Sequence, residues 1–81
     1  MTDVRALMNK RARLRNRVRE IRELRVMTQE ELARASGVGV ATISRYERQL
    51  VKQYDGDVLI ALGKALEWEA TQLLFVSTTK N

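Results

Sequence analysis

Apolar residues recur at helical spacing along most of the chain. Leu14, Val18, Ile21 and Leu24 fall at steps of four, three and three, one stripe of a helix ending near Arg25 or Val26. Upstream, Val4, Leu7 and Met8 continue a similar rhythm with Thr2 or Asp3 as a cap, so residues 3–13 read either as a separate short helix or as an extension of the next one. The strongest start signal lies at Thr28 and Glu31, the two ends of a capping box, flanked by Met27 and Leu32 in the positions of a hydrophobic staple. A helix is therefore expected from Gln29 to about Ser36, ended by Gly37 in a left-handed conformation with Val38 turned inward. Another fits residues 40–49, with Ile43 buried and Tyr46 or Glu47 beside it. After the polar stretch 49–56, Asp57 is placed to cap a helix carrying Leu59, Ile60, Leu62 and Leu66, and a last turn or short helix spans Glu69 to about Val76. The expected fold is all-α.

Composition narrows the chemistry. Among 81 residues there is no Pro to break a helix, and no Cys and no His. Thiol nucleophiles, disulfides, imidazole acid-base catalysis and zinc sites of the Cys/His kind are excluded, and no metal or cofactor is expected. The scattered Asp and Glu form no cluster that periodicity would gather, and the length suits one small core, so an enzyme is not expected. The apolar runs 58–62 and 73–76 are far short of the roughly 20 residues that span a membrane. Charges at Asp3, Arg5, Lys10 and Arg11 interrupt any signal-peptide core, so a cytoplasmic protein is expected.

Charge is unevenly placed. The net charge is +5, yet residues 1–25 alone hold nine basic and three acidic side chains. A basic segment of this kind suits a polyanion, because Lys and Arg displace counterions from nucleic acid; the plainer reading is a solvated helix face. Arg11, Arg13, Arg15, Arg17 and Arg19 recur at every second residue. On a strand that spacing would line one side, whereas Leu14 and Val18 favour a helix with the charge spread around it.

The run from Arg22 to Ala33 (RELRVMTQEELA), then Gly37-Val38, then Thr42 to Arg48 (TISRYER), resembles the Cro and phage-repressor type of helix-turn-helix DNA-binding domain. The resemblance extends through 59–66 to Leu73-Leu74 and so covers roughly residues 14–75. It implies a five-helix domain at 14–76, with a basic helical extension or arm at 1–13 and a tail at 77–81, that binds operator DNA, usually as a homodimer. Leu32, Ala33, Val38 and Ile43 match the residues that pack the two helices of the motif, and Arg22 and Glu47 match a structural salt bridge. Thr28 and Gln29 stand at the start of the first helix of the motif, and Gln29 matches a phosphate contact that braces the recognition helix.

On the recognition helix the resemblance assigns base or phosphate contacts to Gly39, Val40, Ala41, Thr42, Ser44 and Arg45, and phosphate contacts after it to Arg48 and Lys52, with Gln53 and Tyr54 nearby. Here the chain departs from the family pattern: Val40 and Ala41 are apolar where relatives carry polar residues, so they suit thymine methyl groups. Arg45 suits a guanine or a phosphate. The segment after the recognition helix is a residue longer than usual and lacks the common Gly and Pro, and Val26 replaces a frequent Gly. Arg11, Arg13 and Arg15 are candidates for backbone or minor-groove contacts. Leu74, Phe75 and Val76 are candidates for a dimer interface, rivalled by Val4, Leu7 and Met8, whereas Trp68 is assigned to the core.

The expected function is thus a sequence-specific regulator of transcription, a homodimeric repressor on a palindromic operator. Phage regulators, restriction-modification controllers and antitoxins share this pattern. A protein-interaction adaptor that binds a toxin or polymerase is the alternative. A basic amphipathic helix on acidic membranes is the weakest reading, because Leu14, Val18 and Ile21 are claimed by the core.

Overall fold

A computed structural model describes residues 12–78. The order is β1 (Ala12–Asn16), α1 (Val18–Leu24), α2 (Gln29–Ser36), α3 (Val40–Glu47), α4 (Gly56–Leu66), a 3-10 turn (Ala70–Leu73) and β2 (Leu74–Thr78). The core is Val18, Ile21, Leu32, Ile43, Tyr46, Leu59, Leu62, Leu66 and Leu73, with Ala33 and Val38 packed against it. All four helices contribute to it, so α2 and α3 rest on α1 and α4.

The all-α, five-helix expectation is corrected at both ends. Four helices and a turn are joined by a two-stranded antiparallel ribbon, in which Leu14 faces Val76 and Arg15 faces Phe75. Of the alternate arginines, Arg13 and Arg15 lie on the strand, whereas Arg17 stands at the N-cap of α1 and Arg19 lies within it. Leu14 lies on β1, half exposed, and Leu24 is two-thirds exposed, so only Val18 and Ile21 of the predicted stripe are buried. The run Leu74-Phe75-Val76-Ser77-Thr78 is aromatic and β-branched, which suits a pleated surface better than a helix. Across the ribbon the Arg17 guanidinium lies 4.4 Å from the centroid of the Phe75 ring. The expected helix and arm at residues 3–11, including Arg11 and the apolar Val4, Leu7 and Met8, lie outside the described residues.

Two helix starts carry a side-chain cap from the residue directly before them. The Thr28 hydroxyl accepts from the Glu31 amide at 3.0 Å, and the Glu31 carboxylate accepts from the Thr28 amide at 2.8 Å, completing the capping box. That amide is the main reason the Glu31 carboxyl lies below its ordinary range. At α4 the cap is Asp55 rather than Asp57: the Asp55 carboxylate accepts from the Asp57 amide at 2.8 Å, and Ile60 is half exposed.

Helix ends are less ordinary. Gly37 closes α2 at φ 77°, as expected, but Val26, Gln49 and Glu67 take positive φ without being glycine. Each closes a Schellman turn: Met27 N–H donates to Arg22 C=O, Leu50 to Arg45, and Trp68 to Gly63. Glycine is required at 63 for a steric reason, because a Cβ there would stand 2.6 Å from the Trp68 carbonyl oxygen. Trp68 itself is half-buried against the core.

Val26 is the costliest of the three turns, a β-branched side chain at φ 56° and 89% exposed, so it buries almost nothing in return. Val26→Gly is expected to raise stability by about 1 kcal/mol, the left-handed penalty less the extra chain entropy of glycine. A urea midpoint unchanged or lowered would refute this.

Candidate nucleic-acid interface

The turn at Gly37 and the extended Gly39 set α3 across α2. Ile43, Tyr46 and Glu47 are the buried positions of α3. The opposite stripe, at steps of four and three, is Ala41, Arg45 and Arg48, all exposed, with Val40 at 38% exposure on its edge and Thr42 and Ser44 half-buried. Gly39 is the N-cap and makes no side-chain cap bond, so the first-turn amides of α3 have no side-chain partner there. Arg45, Arg48 and Lys52 make no ion pair among the described residues.

α3 is anchored from behind by a buried ion pair. The Arg22 guanidinium meets the Glu47 carboxylate with two bonds, Nε to Oε2 at 2.6 Å and Nη2 to Oε1 at 3.0 Å, while its Nη1 donates to the Met27 carbonyl at 2.7 Å. The side chains are 13% and 3% exposed. The bond to Glu47 is the main reason the Arg22 pKa is raised above its ordinary value. Gln29 joins it, its Nε2 donating to Glu47 Oε1 at 2.9 Å. Gln29 thus ties the start of α2 to the end of α3. The Thr28 hydroxyl is engaged by its own cap.

A second polar hub was not foreseen. Asn16 is 3% exposed. Its Nδ2 donates to the Tyr46 carbonyl at 2.8 Å and to the Tyr54 hydroxyl at 2.9 Å, and its Oδ1 accepts from Val18 N–H at 3.1 Å. The Gln49 side chain pairs with the Asn16 backbone as a strand would, Oε1 accepting from Asn16 N–H at 3.0 Å and Nε2 donating to its C=O at 2.9 Å. Tyr54, considered beside the phosphate contacts, is half-buried instead, with its ring edge-on to Tyr46 at 5.4 Å. The one sequence signal was a lone amide, Asn16, inside an arginine-rich run.

Of the other candidates, Arg13 is exposed and Arg15 half-buried on β1, near Arg48 and Lys52. On β2, Leu74 packs on the core, Phe75 is half-buried beneath Arg17, and Val76 is 55% exposed beside Leu14.

Two short helices, a glycine turn and an exposed second helix fixed from behind form the geometry of a helix-turn-helix, and residues 18–70 match the protein family of that description. The chain belongs to the helix-turn-helix family. The match places it among DNA-binding regulators and leaves β1 and β2 outside the family segment. No curated protein and no solved structure matches the chain. Among the described residues no helix is long and apolar enough to cross a membrane.

Proposed function

We propose that this helix-turn-helix protein is a sequence-specific regulator, a homodimeric repressor that reads a palindromic operator with α3. The observation that carries the reading is the exposed stripe Ala41, Arg45 and Arg48 on a helix whose other side is fixed by Glu47. In such a motif the second helix enters the major groove N-terminus first. Val40 and Ala41 meet thymine methyl groups there, and Arg45 reaches a guanine edge or the adjoining phosphate. With two apolar residues at the tip, DNA shape and backbone contacts carry much of the discrimination. A dimer reads two half-sites about 34 Å apart, which supplies the affinity one short helix lacks. Val76 and its neighbours Leu74 and Phe75 on β2 are the apolar residues that would serve the interface.

Selection of bound sequences from random duplexes at fixed salt tests the reading. A palindrome with thymines in each half is expected, and no enrichment would overturn it. Arg45→Ala is expected to weaken binding to the selected sequence about tenfold, the scale of one side chain on a base edge. Its thermal midpoint should stay unchanged, because Arg45 is exposed and makes no ion pair among the described residues.

A further inference from the structure

β1 has one edge on β2 and the other facing the segment after α3. Asn16 turns its backbone N–H and C=O to that second edge, where the Gln49 amide closes them. Strand groups alternate, so Leu14, two residues back, points its own N–H and C=O the same way, past the reach of Gln49. Beyond Gln49 the edge opens into a cleft between β1 and residues 48–52, whose walls carry Arg13, Arg15, Arg48 and Lys52, with the half-exposed Leu14 and Leu50 between them. No carboxylate lines it, and none of the four cations has an ion pair among the described residues. Elsewhere on the surface Arg17 pairs with Glu20, Arg19 with Glu23 and Arg25 with Glu67, while Arg34 and Arg45 stand singly, without an ion pair among the described residues.

The cleft is continuous with the reading face. Leu50, Val51 and Lys52 line it on one side and on the other line the groove that holds Thr42 and Arg45 of α3. Duplex DNA held at α3 therefore runs its backbone toward Lys52 and the ribbon. A second copy of β1 pairing along the same edge would bring another Arg13 and Arg15 against the first, a like-charge arrangement. A polyanion removes that repulsion.

We propose that the cleft between β1 and residues 48–52 is a second phosphate site, which seats the sugar–phosphate backbone of duplex flanking the segment read by α3. The inference rests on the DNA-binding reading above and extends the footprint past the helix-turn-helix itself. The Asn16–Gln49 pairing is the clip that sets the cleft's width, because it ties β1 directly to the end of α3.

The test compares wild type with the double variant Arg13→Gln, Arg15→Gln and with Lys52→Gln, on the selected sequence carrying either two or eight flanking base pairs. Binding is followed by fluorescence anisotropy across a salt series. On the long duplex the double variant should lose about tenfold in affinity and lower the salt slope by about two, and Lys52→Gln by about one. On the short duplex these losses should shrink. Wild type that binds neither duplex would overturn the DNA reading itself. Wild-type binding with unchanged slopes in both variants would overturn only the second site. So would equal losses on both duplexes, which would put the phosphates within the core sequence. Self-association lost in the double variant with an unchanged slope would give the cleft to a second copy instead, also overturning the proposal. Lys52 stands on the wall opposite the ribbon, so its variant keeps the test decisive even if the ribbon is disturbed.

Discussion

Glu47→Ala is expected to cost about 4 kcal/mol of folding stability, the scale found when one partner of a buried ion pair is removed. The Arg22 guanidinium stays where it is, 13% exposed, and loses both carboxylate bonds, keeping only the Met27 carbonyl. The amide of Gln29 loses its acceptor in the same step. A domain of this size holds about 5–15 kcal/mol in total, so between about a quarter and four-fifths of its stability goes. Much of the loss is the penalty of a stranded charge, which a further comparison isolates. Arg22→Met with Glu47→Leu should recover a large part of it, because an apolar pair of similar volume leaves nothing unsatisfied. Urea unfolding of the three proteins measures this. A Glu47→Ala variant within 1 kcal/mol of wild type would show that α3 is held by Ile43 and Tyr46 alone.

The helix-turn-helix was legible because its signals are local. Thr28 and Glu31 stand three residues apart and bond each other, and Gly37 needs only its own backbone freedom to turn the chain. Ile43 and Leu32 follow from spacing, and both are fully buried. The exposed face of α3 could be drawn for the same reason, since a residue's place on a helix is fixed by its neighbours at three and four, whereas its assignment to DNA came only from the resemblance. The pairing of Arg22 with Glu47 lies 25 residues apart and came only from the resemblance.

The ribbon was hidden because nothing local decides it. Arg13 and Arg15 alternate as a strand requires, but Leu14 and Val18 are four apart as a helix requires, and a five-residue stretch offers too few positions to arbitrate. What decides it lies far along the chain: β2 supplies the ladder, and Asn16 reaches Tyr46 and Tyr54 across 30 and 38 residues. Gln49 was hidden differently. In a loop it reads as a solvated polar residue, and only its φ of 59°, unusual without glycine, aims the amide back at β1. Both misses bear on function, because together they hang the basic strand beside the end of the recognition helix.

Asn16→Ala is expected to cost about 3 kcal/mol and to loosen the ribbon while leaving α3 in place. Four groups lose a partner in one change, Gln49 Oε1, 3.3 Å from Asn16 Nδ2, among them. The Val18 amide loses the only side-chain acceptor at the start of α1, where Arg17 makes no cap bond, worth about 1 kcal/mol. The Tyr54 hydroxyl and the Tyr46 carbonyl lose a buried donor, the second keeping the Gln49 amide. The Gln49 side chain still pairs with the backbone of residue 16, so the strand keeps one tether. A two-stranded ribbon is marginal by itself, so its amides should exchange with solvent much faster than those of α2 and α3. Asn16→Asp separates the two functions of the side chain. A carboxylate still accepts from Val18, but it cannot donate to Tyr46 or Tyr54 and is itself a buried charge, so it should be no better than alanine. Hydrogen exchange resolved by NMR distinguishes the outcomes. Ribbon amides protected as in wild type would mean that β1 is held by its ladder with β2, and the polar hub would then be no clip at all.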